Sequence, residues 1–358
     1  MKVAIIGTVG VPANYGGFET LVDQLVSHNK SDDIQYAVYC SKQSYKEKRW
    51  VYHGAKTEYI GLKANGLQSI PYDILSIIKA SRKSDSLLIL GVSGCAFLPI
   101  YRLFSKKRLI INIDGLEHKR DKWNPWIRKF LKFSEKQAVK YADKIVTDNK
   151  GIQDYVKEEY GKDSELIAYG GNHALTFAAD SDAKKILNEY NLNANKYALA
   201  ICRIEPENNV HVILEAFEKL DKQIVFIGNW DNSDYGKQLK EKYKSYSNIK
   251  LLSAIYDLEV LNVLRQNAYI YLHGHSAGGT NPSLVEAMFF EIPILAFDCV
   301  YNRESTENKA FYFNSSRDLV NLLNDNKLDF SENAKSMKEI ANRRYKWETI
   351  VNQYEALY

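Results

Sequence analysis

The stretch Ala268-Tyr-Ile-Tyr-Leu-His-Gly-His-Ser-Ala-Gly-Gly-Thr-Asn-Pro-Ser-Leu-Val-Glu-Ala-Met288 reads as one strand, one loop and one helix in succession. Residues 268–272 are an apolar run of strand type. The middle is rich in glycine. Asn281 suits a helix N-cap and Pro282 the first helical position, and an apolar turn follows. A strand ending in a glycine loop that opens a helix is the repeating unit of parallel α/β sheets. Ligands of such sheets sit beyond the carboxyl ends of the strands. The residues after this strand, His275, Gly278, Gly279, Thr280, Asn281 and Ser283, are therefore candidate ligand contacts, and so is Glu286 one helical turn further on.

Working outward, the same unit recurs. Towards the N-terminus, strand-type runs fall at 2–7, 34–40, 87–90, 109–113 and 144–147, with a helical pattern over 18–27. In the second half they fall at 198–202, 223–227, 250–252 and 293–296. The segment 170–194 carries glycine, asparagine and aspartate without strong strands and marks a boundary. The spacing predicts an α/β chain of two Rossmann-like doubly wound domains, 1–170 and 171–340, with a cleft between them. An amphipathic helix over 341–358 is expected to pack back toward the first domain. A length of 358 residues, with 45% hydrophobic and 26% charged, suits two folded domains.

Composition excludes several classes. Cys40, Cys95, Cys202 and Cys299 are far apart and show no metal or disulfide spacing, so reduced thiols and a cytoplasmic setting are expected. His273 and His275 have no third ligand nearby, so no metal is expected. The apolar stretch 87–104 is broken by Gly91, Ser93, Gly94 and Pro99, so a membrane role would be peripheral. Between Arg102 and Lys140 stand twelve Lys/Arg against four Asp/Glu. That makes one face of the N-terminal half basic.

Three further stretches bear on chemistry. Gly7–Glu19 follows the first strand; Gly16 and Gly17 open its helix, where free amides and the missing Cβ atoms admit an anion. Glu19 either serves the helix dipole or reaches a sugar hydroxyl. Arg203 emerges after the strand at 198–202, where a guanidinium can clamp a diphosphate or simply pair with Glu205 or Glu207. In 124–140, Trp126, Phe130 and Phe133 share one helix side and Arg128, Lys129, Lys132 and Lys136 fill the rest. This is the pattern of an interfacial helix, or of a helix packed on its own sheet. No nucleic-acid motif accompanies the charge.

Together, Gly16-Gly-x-Glu19, Arg203-Ile-Glu-Pro-Glu-Asn208 and Asn281-Pro-Ser-Leu-Val-Glu-Ala-Met288 resemble the GT-B-fold, family 4 retaining glycosyltransferases. The opening stretch, Asp114–Trp123 and His273–Ser283 are more narrowly similar to a bacterial subgroup with a DUF1972-type N-terminal domain, which includes polysaccharide rhamnosyltransferases. The resemblance implies a nucleoside diphosphate sugar as donor, dTDP-rhamnose first and UDP-sugars next, with no metal. Gly16 and Gly17 would approach the donor, Arg203 would stabilise the departing diphosphate, Glu286 would hold the ribose and Gly278–Ser283 would line the sugar and pyrophosphate. Two positions depart from the family pattern. Gly278 stands where the family often has the first glutamate of its pair, and Asn208 stands where it often has a lysine. Asp114, Glu117 and His118 follow a strand end and could meet the acceptor. That acceptor is expected to be a lipid-linked saccharide at the inner face of the cell membrane. A sugar-nucleotide epimerase of the same shape and a non-catalytic nucleotide-binding protein are the rival readings.

Overall fold

The computed structural model describes residues 1–13, 16–113, 115–119, 123–176 and 179–358. The chain forms two compact units. Unit 1 is Met1–Tyr169 together with Trp347–Tyr358, and unit 2 is Gly170–Lys346.

Unit 1 runs β1 (Lys2–Ile6), α1 (Gly17–Ser27), β2 (Gln35–Ser41), β3 (Val51–Tyr52), β4 (Ala55–Ile60), α2 (Ser69–Ser81), β5 (Ser86–Leu90), α3 (Leu98–Phe104), β6 (Arg108–Ile113), α4 (Pro125–Tyr141), β7 (Lys144–Thr147), α5 (Lys150–Tyr160) and β8 (Glu165–Leu166). Its eight strands lie in the order β3-β4-β2-β1-β5-β6-β7-β8. All neighbours are parallel except β3 against β4. Ala4 of β1 lies between Ala37 of β2 and Leu87 of β5. Every residue of β5 is buried, as a strand covered on both faces requires. Strand order reverses direction between β1 and β5. That places residues 7–13 and 91–97 at the switch point of the sheet, where ligands of this architecture bind.

Unit 2 runs α6 (Asp180–Glu189), β9 (Tyr197–Ile201), α7 (Val210–Phe217), β10 (Gln223–Ile227), α8 (Asp234–Tyr243), β11 (Ile249–Leu252), α9 (Leu258–Gln266), β12 (Ile270–His273), α10 (Pro282–Met288), β13 (Ile294–Phe297), α11 (Val300–Ser305), β14 (Phe311–Phe313), α12 (Ser316–Asn324) and α13 (Phe330–Arg344). Its all-parallel order is β11-β10-β9-β12-β13-β14. Leu199 of β9 lies between Val225 of β10 and Tyr271 of β12. Here the switch point falls between β9 and β12. The core on one face packs Ile213, Leu214 and Phe217 of α7 with Phe226, Trp230, Leu319 and Leu323. Each such side chain contributes about 1.5–3 kcal/mol by leaving water.

The last helix, α14 (Trp347–Glu355), belongs to unit 1. Trp347, Ile350, Val351 and Tyr354 join its core beside Leu21, Leu25 and Val38. The Tyr354 hydroxyl accepts from Asn112 Nδ2 of β6 at 2.6 Å.

Candidate active site

In unit 2, the loops after β9 and β12 flank the switch point and are laced together. Asn208 is buried; its Nδ2 donates to the Arg203 carbonyl at 2.6 Å, and its Oδ1 meets His275 Nδ1. Asn209, in the left-handed region at φ 48°, donates from Nδ2 to the Gly274 carbonyl at 2.8 Å. Ser276 donates from both its amide (3.0 Å) and its hydroxyl (2.8 Å) to the Glu207 carbonyl. A Cβ on Gly274 would run into the Asn208 carbonyl oxygen, so only glycine permits this approach. The His275 carbonyl in turn accepts from Asn302 Nδ2 at 2.8 Å. The Asn208 side-chain amide and Nδ1 of His275 thus join the two loops. Any action of Asn208 on a ligand passes through the backbone it holds.

Arg203 is the least committed group here. Its side chain is 38% exposed and, among the described residues, meets Glu205, Nη1 to Oε1 at 3.8 Å. Such an exposed pair holds a guanidinium weakly. Glu286 is different. Arg265 Nη2 binds its Oε2, and His173 Nε2 lies 3.4 Å from Oε1. Burial acts to raise its pKa, but Arg265 first and His173 next outweigh that and hold the carboxyl below the usual range. Neither partner had a local sequence signal. Arg265 sits 21 positions upstream on α9, and His173 lies in the stretch read as a boundary.

Asn281 caps α10 by accepting from the Ser283 amide at 3.1 Å and its hydroxyl at 2.8 Å. The Asn281 carbonyl takes the Leu284 and Val285 amides at 3.1 and 3.2 Å. The first turn of α10 is thereby satisfied from within. The loop before it turns at Gly278, whose φ of 109° favours glycine.

In unit 1, α1 opens without a side-chain cap at Gly16, whose φ of 125° and ψ of 155° suit glycine alone. A Cβ at Gly16 would run into the Glu19 carboxylate, so that carboxylate lies close to the start of α1. Glu19 folds back on the preceding loop, accepting from the Val9 amide at 2.9 Å and the Thr8 hydroxyl at 3.2 Å. The structure thus gives Glu19 a loop-holding place. After β6, Glu117 accepts from Trp123 Nε1 at 3.0 Å, and His118 Nδ1 lies 3.0 Å from Glu135 Oε2. Asp114 lies outside the described residues.

On α4 the buried side is Leu131, Ser134, Glu135, Gln137, Ala138 and Val139. Trp126 is 80% and Phe133 51% exposed, and Lys129 Nζ sits 5.4 Å over the Trp126 ring. Trp126 and Phe133 therefore face outward, while Phe130 is half-buried. Among the described residues, no helix is long and apolar enough to cross a membrane.

Known proteins bear on these sites. Residues 1–172 match the family described as domain of unknown function DUF1972, and residues 182–347 match glycosyl transferases group 1. Among solved structures, the chain superposes on sucrose-phosphate synthase from Thermosynechococcus elongatus with a TM-score of 0.81 at 17% identity, covering 100% of this chain and 98% of that one. Anabaena HepE in complex with UDP gives a TM-score of 0.78 at 15% identity, with 99% of each chain covered. A UDP-N-acetylglucosamine 2-epimerase homolog of Methanococcus maripaludis is 33% identical over 129 residues, which is 34% of this chain and only a third of that protein's length. With two parallel-sheet α/β units and this pair of matched domains, the chain belongs to the GT-B glycosyltransferases of the family 4 type, with a DUF1972 domain at its N-terminal end.

Proposed function

We propose that the protein transfers a hexose, with L-rhamnose from dTDP-rhamnose as the first candidate and UDP-sugars next, to a hydroxyl of a lipid-linked saccharide in bacterial surface polysaccharide synthesis. The observation that carries the reading is the laced pair of loops at the unit 2 switch point. One loop carries a loosely held guanidinium, Arg203, and the other leads into the helix that carries an ionised carboxylate, Glu286. Anabaena HepE, of the same fold, has been solved with UDP and with UDP-glucose, which supports a nucleotide-sugar donor.

In this reading Glu286 accepts hydrogen bonds from the donor ribose. The amides of Gly278, Gly279 and Thr280, with Asn281 and Ser283 beside them, line the sugar and pyrophosphate. Gly16 and Gly17 approach the donor from the unit 1 loop. The anomeric C–O bond breaks with its electron pair going to the diphosphate. The acceptor oxygen bonds to the anomeric carbon and its proton passes to the acceptor-side His118. Arg203 offsets the charge that grows on the leaving group. Asp114, Glu117 and His118 serve the acceptor side. Transfer proceeds with retention, without metal. The outward aromatic and cationic side of α4 rests on the inner face of the cell membrane.

Arg203→Ala tests the reading. Loss of one preorganised donor to the developing charge should lower kcat roughly 10²–10³-fold, while the protein still melts as wild type. Unchanged kcat would end the assignment. The local likeness to an epimerase homolog favours a second reading, interconversion of the donor sugar itself. Incubating donor without acceptor and following the sugar by NMR separates the two. New anomeric signals of an epimerised nucleotide sugar would favour the second.

A further inference from the structure

Glu135 of α4 is 99% removed from solvent and lies at the centre of a polar cluster that transfer chemistry has not been assigned. Its Oε2 faces His118 Nδ1 at 3.0 Å. Its Oε1 accepts from the Tyr155 hydroxyl at 2.7 Å and the Tyr160 hydroxyl at 2.6 Å, both on α5. Lys132 Nζ stands 3.6 Å from the same oxygen, pairs with Glu159 at 2.8 Å and touches the Tyr155 hydroxyl. Lys119 Nζ sits 4.7 Å over the Tyr155 ring. The charged groups around Glu135 are thus two lysines and one further carboxylate. The backbone of His118 is also held, its carbonyl accepting from Arg128 Nε at 2.8 Å.

This cluster makes a carboxylate of Glu135. Burial acts to raise its pKa, but the bonds from His118, Tyr160 and Tyr155 outweigh it and lower the net value. Burial and then Glu135 push Tyr160 up to about 12 and Tyr155 up as well. Both tyrosines therefore remain hydrogen-bond donors. A carboxylate can only accept. The imidazole nitrogen facing it must carry a proton, and in the neutral ring the other nitrogen must then hold a lone pair. His118 Nε2 makes no hydrogen bond among the described residues and is not closed off from solvent.

We propose that Glu135 is a positioning residue, holding His118 in the Nδ1–H tautomer so that Nε2 presents a lone pair to the acceptor hydroxyl. This rests on the acceptor-side placing of His118 proposed above. The hydroxyl donates to Nε2 and its oxygen lone pair is aimed for attack on the anomeric carbon. Glu135, Tyr155 and Tyr160 act only through His118. A plain structural clip between the loop and α4 would be indifferent to which nitrogen carries the proton.

The test separates these roles. In Glu135→Gln the amide oxygen takes the place facing the two tyrosine hydroxyls, and the NH2 group faces Nδ1. His118 is then driven to the Nε2–H tautomer. The protein has seven histidines. Their ¹⁵N ring signals are resolved by two-dimensional NMR, with His118 assigned by its loss in His118→Gln. Wild type should show Nδ1–H at His118, and Glu135→Gln should show Nε2–H. With the tautomer switched, kcat should fall about a hundredfold, the size of a positioned proton acceptor's contribution, while donor KM stays within about twofold. An Nε2–H tautomer in the wild type overturns the proposal whatever the protein transfers, and needs no variant. A switched tautomer with unchanged kcat overturns it equally. If wild type transfers no sugar, the failure lies with the proposed function, and the tautomer is still read on the free protein.

Discussion

Glu286 and His273, thirteen positions apart, show how one short segment can hold a charge and a neutral ring by burial and partners alone. Glu286 stays ionised because Arg265 binds one oxygen and His173 faces the other. Arg265 is itself 2% exposed, and Glu286 is the one hydrogen-bond acceptor shown for its guanidinium among the described residues. Arg265→Met leaves the carboxylate largely buried with one weak partner. This should cost about 3–5 kcal/mol in urea unfolding, and adding Glu286→Gln should recover much of it. Equal stability of single and double variants would show that the pair does not act as a unit. His273 has no such partner; its Nε2 is buried without a hydrogen bond, and burial lowers its pKa to about 3. The unfolded chain therefore binds the proton more readily than the folded one. The stability that His273 lends is complete above about pH 6.5 and drains as pH falls toward 3. Between pH 7 and 5 this amounts to about 2 kcal/mol. His273→Phe should flatten the dependence of Tm on pH over that interval, and parallel curves for the two proteins would refute the burial origin.

At the scale of single elements, legibility followed burial. The central strands β1, β5, β6, β7, β10 and β13 form within two residues of where apolar runs place them, because strands covered on both faces must be apolar throughout. Four short or half-exposed strands escape that signal. Ala55–Ile60 alternates buried and open residues with two charged side chains, and β3, β8 and β14 are only two or three residues long. The loops that carry candidate chemistry were visible through glycine and cap residues, but their locks were not. Asn208 with His275, and Glu135 with His118, join residues 67 and 17 apart, a distance that no local pattern encodes. For α4 the sequence left two readings, and the structure leaves Trp126 and Phe133 in solvent with Phe130 half-buried. The end of α3 adds exposed Leu103 and Phe104, followed by Lys106-Lys107-Arg108. Trp126→Ser with Phe133→Ser should leave Tm within about a degree or two, since exposed substitutions cost under about 0.5 kcal/mol. The same variant should cut binding to vesicles containing anionic lipid. Lys129→Glu with Lys136→Glu should weaken that binding further, by about 1 kcal/mol per charge. Lys132 is a poor choice for this test because it bridges Glu135 and Glu159. Vesicle binding indifferent to all four changes would remove α4 from the membrane.

For the whole molecule, the two units differ in how the chain supplies their cores. Unit 2 is one continuous segment, Gly170–Lys346. Unit 1 needs two separate segments of the chain, since Trp347–Tyr358 delivers Trp347, Ile350, Val351, Tyr354 and Leu357 to a core otherwise made by residues 3–169. Trp347 is fully buried, and truncation of one such aromatic in a core costs about 3–5 kcal/mol. Removing five large side chains together exceeds the whole stability of an ordinary domain, about 5–15 kcal/mol. It also strips Asn112 of β6 of its Tyr354 partner. A chain ending at Lys346 should therefore show one cooperative calorimetric transition, that of unit 2, and fast protease cleavage within residues 1–169. The isolated segment 170–346 should give the same single transition and should still be stabilised by UDP or dTDP, because a ligand that binds only the folded form raises its midpoint. Supplying residues 347–358 as a separate peptide should restore the missing transition in proportion to peptide concentration. Two intact transitions in the shortened chain would mean that the tail lies on unit 1 without holding it together.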